Sequence, residues 1–208
     1  MLSSRVRPMV ARVFDPIARG LLRLGLTPDM VTVIGTAAVV TTALVAYPNG
    51  WLLPGTLLIA VFVFADSLDG TMARLSGRSS DWGAFLDSTL DRLADASIFA
   101  GLTLWFAADG NMLGVALTLA SLVLGQLVSY ARARAEGLGA TAAVGVAERS
   151  ERLIVVLLAA GFVGLGLSPT VLVVAMAVLA IASAVTVVQR MIVVRRQLGG
   201  VSSQVEES

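Results

Sequence analysis

The sequence predicts an all-α, polytopic integral membrane protein: six transmembrane helices preceded by an amphipathic helix at the membrane interface. Hydrophobic residues make up 57% of the 208 positions and charged residues only 14%, and mean hydropathy is +0.87. A soluble domain sits nearer half apolar and a quarter charged. Apolar stretches of about 20 residues, the length that crosses a bilayer as a helix, recur along the whole chain. The cations gather at alternate connections between those stretches, as in a protein with fixed sidedness.

The first segment, 1–27, reads as an interfacial helix. Val6, Val10, Val13, Ile17, Leu21 and Leu24 fall at helical spacing, while Arg5, Arg12 and Arg19 repeat every seven residues on another face. Basic residues that only set topology are the plainer alternative, and no cleavable signal-peptide pattern is expected in so Arg-rich a start. Thr27-Pro28-Asp29 then supplies a cap, a proline and an acid, the composition of a helix start. Spans are placed at 29–48, 51–75, 83–107, 111–136, 149–167 and 169–194. Gly161 and Gly164 read as sites of close helix packing. Residues 1–198 form one membrane domain, with the bundle at 29–194, and 199–208, GGVSSQVEES, is a polar tail expected to be disordered.

All 15 cations are Arg. They lie before the first span, between the second and third (Arg74, Arg78), just inside the third (Arg92), around the junction of the fourth and fifth (Arg132, Arg134, Arg149, Arg152), and near or after the end of the sixth (Arg190, Arg195, Arg196). The connections at 47–51, 107–112 and 164–168 have none. Both termini are therefore expected on the cytoplasmic side of a bacterial plasma membrane, and only Asp109 among the acids falls on the far side. The net charge of +1 says little by itself; the partners expected are membrane lipids and small molecules, not nucleic acid.

Residues 66–91, DSLDGTMARLSGRSSDWGAFLDSTLD, carry the chemistry. They set Asp66, Asp69, Asp87 and Asp91 on two adjoining apolar segments, where an ionised carboxylate costs several kcal/mol unless compensated. Acids three or four apart share a helix face, so Asp66 meets Asp69 and Asp87 meets Asp91. If the two helices face each other, four charges share one pocket that two divalent cations would neutralise. Oxygen-only ligands suit hard ions such as Mg²⁺ or Mn²⁺, and Mg²⁺ is the ion expected although ligand type does not separate the two. The absence of His and Cys excludes zinc, copper and thiolate chemistry. Asp95 continues the row but reads better as an ion-pair partner of a nearby Arg. Gly70 and Gly83, one turn from Asp66 and Asp87, leave room for a ligand to approach backbone. Arg74 is placed to pair with a diphosphate or with the carboxylates. The several Arg around the fourth junction favour an anionic acceptor, because guanidinium groups bind phosphate well. A small ion-coupled transporter is the reading from another class, since intramembrane acids also bind Na⁺ or protons. It leaves the crowding of the acids at one end and the adjacent Arg cluster unaccounted for.

The string Asp66-x-x-Asp69-Gly70-x-x-Ala73-Arg74, eight residues, Gly83-x-x-x-Asp87-x-x-x-Asp91 resembles the signature of the CDP-alcohol phosphotransferase family at every fixed position. The stretches ARGLLRLGLTPDMVT, GQLVSYARARAE and ERSERL make the chain most similar, within that family, to actinobacterial synthases of phosphatidylinositol phosphate. The resemblance implies transfer of a phosphatidyl group from CDP-diacylglycerol to inositol 1-phosphate with release of CMP, by a protein that forms homodimers. It implies Asp66, Asp69, Asp87 and Asp91 as metal ligands, with Asp91 also taking the hydroxyl proton. It implies contacts to the CDP-lipid from Asp29, Met30, Val31, Thr32, Asp66, Asp69, Gly70, Arg74 and Ser80. Acceptor-phosphate contacts would come from Ser129, Arg132, Arg152 and Arg190, with Arg132 standing where the family pattern has Lys. Glycerol 3-phosphate is anionic as well, so a phosphatidylglycerophosphate synthase is the alternative within the family.

Overall fold

A computed structural model describes residues 14–77 and 80–205. Among them there is no strand, and the chain runs as helices α1 (14–23), α2 (Pro28–Ala46), α3 (Leu52–Ala65), α4 (Ser67–Ser76), α5 (Asp81–Ala108), α6 (Met112–Glu136), α7 (Arg149–Gly164) and α8 (Thr170–Val205). Local chemistry explains most boundaries. Thr27 caps α2, its Oγ1 accepting the Met30 N–H at 3.2 Å, and Ser80 caps α5, accepting the Gly83 N–H at 3.0 Å. Gly77 ends α4 in the left-handed region, φ 64° and ψ 20°, which a side chain would strain.

The predicted second span divides at Asp66 into α3 and α4. Asp66 keeps helical dihedrals, φ −53° and ψ −34°, so the two segments continue one another across a local break in the ladder. Among the described residues, four helices are long and apolar enough to cross a membrane: α2, the α3–α4 run, α6 and α8. The other two anticipated spans differ for opposite reasons. Helix α5 has 28 residues but carries Asp87, Asp91, Arg92 and Asp95; helix α7 is apolar but only 16 residues long, about 24 Å at 1.5 Å per residue. Both supply the centre of the bundle. Ile98, Phe99, Leu102 and Phe106 of α5 and Val156, Ala159 and Ala160 of α7 are buried in one core with Val39, Tyr47, Ile59, Leu172 and Met176.

Close approaches hold the helices in register. A Cβ on Gly101 would strike the Ala43 carbonyl, and one on Gly164 would strike the Leu53 backbone. Gly161 faces Thr56, so both anticipated packing glycines join α7 to α3 within the chain. Tyr47, fully buried, shares a hydrogen bond with Thr56 at 3.1 Å. Helix α1 lies against α3 through Phe14 and Phe64, whose ring centroids are 5.3 Å apart, while Ile17 and Leu24 stay exposed as an interfacial helix requires. The remainder of that amphipathic pattern, Arg5 to Val13, lies outside the described residues, as does Arg78. Helix α8 runs to Val205, into the segment expected to be a disordered tail. Gly199 and Gly200 weaken a helix by about 1 kcal/mol each, and the ladder nevertheless continues past them; 206–208 are outside the described residues.

The connection 137–148, without regular structure, is fastened along α8. Gln197 accepts the Thr141 N–H at 2.8 Å and donates to the Thr141 carbonyl at 2.7 Å. Thr186 Oγ1 accepts the N–H groups of Val146 and Ala147, both at 3.2 Å, and donates to the Ala182 carbonyl at 2.8 Å. Gly145, at φ 141°, passes so close to Thr186 that a Cβ there would clash. This connection delivers the chain to the start of α7 at one end of the bundle.

A candidate carboxylate centre between two cavities

Asp66 sits at the α3–α4 break and Asp69 one turn on, while Asp87, Asp91 and Asp95 climb one face of α5. One carboxylate oxygen from each of Asp66, Asp69 and Asp87 lies within 4.8 Å of the others. Thr32 of α2 donates its hydroxyl to Asp69 Oδ2, and the Gly70 N–H meets Asp69 Oδ1. Asp69 is buried and the other two are partly so. Among the described residues, neither Asp69 nor Asp87 has a guanidinium within 4 Å. Three carboxylates so close, two of them without a guanidinium partner, repel one another strongly, and an all-oxygen donor set of this kind fits a hard divalent cation.

Asp91 adjoins that triangle through Asp66 and carries ion pairs of its own. Its Oδ1 is 2.7 Å from Arg149 Nη2 and its Oδ2 3.7 Å from Arg92 Nη2. Arg149 also reaches Asp66 Oδ2 at 3.8 Å and Asp95 Oδ1 at 3.1 Å. The two helices therefore bring all four anticipated acids together, with Arg149 bridging Asp66 to Asp91. Asp95 is an ion-pair partner, as its position beyond the signature suggests: it takes Arg149 on one oxygen and Arg152 on the other, at 3.5 Å.

Two cavities flank the acids. The smaller, about 220 Å³, is bounded by Asp29 and Thr32 of α2, Asp69, Gly70 and Ala73 of α4, and Ser80, Gly83 and Asp87 around the start of α5. A Cβ on Gly70 would meet nothing within 4 Å, and one on Gly83 would come to 3.4 Å from Ser80 Oγ and 3.8 Å from Asp29 Oδ1. Both glycines thus leave space where a ligand can lie against a helix. Not every anticipated lipid contact is here. Met30 is exposed on an outer groove with Asp29, Val33 and Ile34, Val31 bounds neither cavity, and Arg74 is exposed and donates to Thr71 Oγ1 at 3.0 Å. A helix presents successive residues 100° apart, so a run of four cannot all face one space.

The larger cavity, about 510 Å³, contains Ser129, Arg132, Arg152 and Arg190, all four anticipated acceptor residues, together with Arg92, Glu148 and Arg149. Its other wall is apolar, formed by Ala60, Val63 and Phe64 of α3 and Leu153, Ile154 and Leu157 of α7. The arginines differ in how firmly they are held. Arg152, buried, donates to the Ala147 carbonyl at 3.0 Å; Arg190, buried, donates to the carbonyls of Val144, at 2.9 Å, and Val128, with Glu148 at 3.9 Å. Arg132 is exposed and paired with Glu136 at 3.0 Å. Arg149 lies between these extremes at 26% side-chain exposure.

Several participants escape residue-by-residue sequence reading. Arg149 was visible as one cation in a cluster, but nothing in its spacing tells it from Arg152. Gly125 lets Arg152 lie flat against α6, since a Cβ there would stand 3.0 Å from Arg152 Nε. Thr186 of α8 shows its role only through the connection it holds, and that connection, with the carbonyls of Val144 and Ala147, has no periodic signal to read.

Comparison with known proteins agrees with this geometry. The CDP-alcohol phosphatidyltransferase family profile matches residues 25–188. Phosphatidylinositol phosphate synthase of Cutibacterium acnes is 52% identical over 194 residues, covering 89% of this chain and 94% of that protein. The enzyme of the same name from Streptomyces avermitilis is 48% identical over 205 residues, covering 95% and 84%. The crystal structure of Mycobacterium tuberculosis phosphatidylinositol phosphate synthase with CDP-DAG bound superposes with a TM-score of 0.84 at 46% identity, covering 89% of this chain and 94% of that one. The same enzyme in complex with manganese and citrate gives 0.83, covering 87% and 88%. An acid cluster on facing helices, a cradle beside it and relatives matched over nearly their whole length place this chain in the CDP-alcohol phosphatidyltransferase family.

Proposed function

We propose that this chain is a phosphatidylinositol phosphate synthase, transferring the phosphatidyl group of CDP-diacylglycerol to inositol 1-phosphate and releasing CMP. The observation that carries the reading is the position of the acids, between a small polar cradle on one side and an arginine-lined cavity on the other. A nucleotide diphosphate fits the first and a phosphorylated polyol the second. Names of relatives 48–52% identical support the same acceptor.

Asp66, Asp69, Asp87 and Asp91 would hold two divalent cations, Mg²⁺ by preference and Mn²⁺ as the alternative. Such ions supply charge neutralisation of a diphosphate and of the leaving phosphate. The chain does the rest. Gly70 and Gly83 keep side chains out of the cradle, and Asp29, Thr32 and Ser80 line it with oxygen. Arg132, Arg152 and Arg190 draw the acceptor phosphate into the larger cavity. In the transfer, an acceptor hydroxyl oxygen forms a bond to the phosphatidyl phosphorus, the bond from that phosphorus to the CMP oxygen breaks, and the hydroxyl proton passes to Asp91. Asp91 is suited to that part because it follows Asp87 of the cradle by one helical turn and touches Arg149 of the acceptor cavity.

The arginine asymmetry supports a cytoplasmic reaction centre and cytoplasmic termini, in a multi-pass protein in which α5 and α7 would complete a bundle of six crossings. A homodimer is the assembly that goes with this family resemblance. An ion-coupled transporter would need the acids but not the arginine cavity beside them.

CMP release by the purified chain in detergent, with CDP-diacylglycerol and inositol 1-phosphate, glycerol 3-phosphate, inositol or serine in turn, tests the reading. Release with inositol 1-phosphate alone is expected. Release with glycerol 3-phosphate and none with inositol 1-phosphate overturns the acceptor.

A further inference from the structure

We propose that Arg149 is a positioning residue that couples the carboxylate centre to the arginine-lined cavity, so that divalent-cation binding and acceptor-phosphate binding strengthen each other. The inference rests on the function proposed above. Its basis is the way one guanidinium is shared. Arg149 Nη2 is 2.7 Å from Asp91 Oδ1, its Nε 3.1 Å from Asp95 Oδ1 and its Nη1 3.8 Å from Asp66 Oδ2. Asp66 and Asp91 belong to the acids assigned to the divalent cations, and Asp95 does not. The same side chain lines the larger cavity. Of the arginines lining that cavity, Arg149 alone ion-pairs with both Asp66 and Asp91 among the described residues.

Among the described residues, none of the other arginines of the cavity reaches both Asp66 and Asp91: Arg92 pairs with Asp91 alone, at 3.7 Å, and Arg152 with Asp95. Arg152 and Arg190 are bound to backbone carbonyls and Arg132 to Glu136. Arg149 instead competes with any divalent cation for Asp66 and Asp91, because an oxygen that ligates a dication has little negative charge left for a guanidinium. Outcompeted there, Arg149 keeps Asp95 as a tether and turns its unbalanced charge to the cavity, where a phosphate complements it. The relation is reciprocal: a phosphate that draws Arg149 off the acids leaves them freer for the cation, by the same factor. Coupling between linked sites is commonly about 5- to 150-fold. Plain attraction between the cation and the phosphate adds a part that Arg149 does not control, so the diagnostic quantity is the change on substitution.

The test is Mn²⁺ binding to the full chain in detergent, read from the electron paramagnetic resonance of free Mn²⁺, with and without inositol 1-phosphate and with no CDP-diacylglycerol, so that nothing turns over. For the native chain, Mn²⁺ affinity should rise about 5-fold or more when inositol 1-phosphate is added. Arg149→Gln should bind Mn²⁺ tighter than the native chain in the absence of phosphate, with the phosphate effect reduced to about 2-fold or less, below the usual range of such coupling. A purely structural Arg149 predicts the opposite sign, weaker Mn²⁺ binding, and that result overturns the proposal. So does an undiminished phosphate effect. Arg149→Lys, which keeps the charge but cannot span three carboxylates, should fall between the two on both measurements, and native values on both also refute the proposal. A response to glycerol 3-phosphate but not inositol 1-phosphate, lost in Arg149→Gln, upholds the coupling and overturns the acceptor assignment instead.

Discussion

Replacing Thr186 by Val tests whether the 137–148 connection is what holds the arginine cavity in shape. The two side chains have nearly the same volume, so packing against Gly145 survives and only the hydroxyl is lost. That hydroxyl accepts the N–H groups of Val146 and Ala147, each at 3.2 Å. Ala147 is buried, and a buried donor left without a partner costs about 1–3 kcal/mol. Val146 is exposed, so water can replace its share. The cost falls on the segment whose carbonyls at 144 and 147 hold Arg190 and Arg152. If about 1.4 kcal/mol of it appears as loss of ordered cavity, KM for inositol 1-phosphate rises about tenfold, while kcat and the KM for CDP-diacylglycerol stay near native, because the cradle is made by α2, α4 and α5. Steady-state CMP release at varied acceptor concentration measures this. Thr186→Ser, which keeps the hydroxyl and loses a methyl, is the control. Should Thr186→Ser raise the acceptor KM and Thr186→Val leave it unchanged, the methyl and not the hydrogen bonds would be the anchor, and the argument would fail.

Asp91→Asn preserves size and removes the proton acceptor, so kcat should fall by about 10²–10⁴-fold while binding of the CDP-lipid, followed by equilibrium displacement, changes much less; full activity would remove Asp91 from that role. Asp66→Asn should weaken apparent Mn²⁺ affinity by about tenfold or more in the same titration that monitors activation, and an unchanged titration would place the cation elsewhere. Gly70→Ala adds a methyl that meets nothing within 4 Å of the protein, so thermal stability should hold or rise by about 0.5–1 kcal/mol as the KM for CDP-diacylglycerol increases. A Gly70→Ala chain with native lipid KM would show that the ligand does not lie against α4.

How much of this was readable beforehand depends on whether a property is periodic. Apolar stretches and arginine sidedness are repeated signals, and they located every helix from α2 to α8 within a few residues, apart from the division at Asp66 and the continuation of α8 to Val205. The acid cluster was legible because three- and four-residue spacings fix a helix face. Its two neighbours were legible to different degrees. Ser129, Arg132, Arg152 and Arg190 do share one cavity, but that two of them are bound to backbone carbonyls depends on a connection without periodicity. Met30 and Val31 show the limit of carrying over a run of consecutive residues, since only Asp29 and Thr32 of that run face the cradle.

The row Asp87, Asp91, Asp95 explains why one helix serves both halves of the site. Successive members are one turn apart, about 6 Å along the axis, and their surroundings change in that short distance. Asp87 faces the cradle with no arginine within 4 Å among the described residues, Asp91 has Arg149 and a more distant Arg92, and Asp95 is held on both oxygens by Arg149 and Arg152. The helix face thus runs from a carboxylate that lacks a cation to one that is saturated with them. A divalent ion is favoured at the first end and excluded at the last, where the arginines already neutralise the charge. An anionic acceptor is favoured only where arginines outnumber acids, on the far side of Asp95. On the function proposed above, the charge sequence along α5 would sort two anionic substrates into separate cavities with Asp91 between them, and an Asp95→Asn change should blur that order by loosening Arg149 and Arg152 together. The expected signature is a rise in acceptor KM with a loss of Mn²⁺ discrimination between the native chain and Arg149→Gln; an Asp95→Asn chain that kept both native values would show that the gradient is not what separates the two sites.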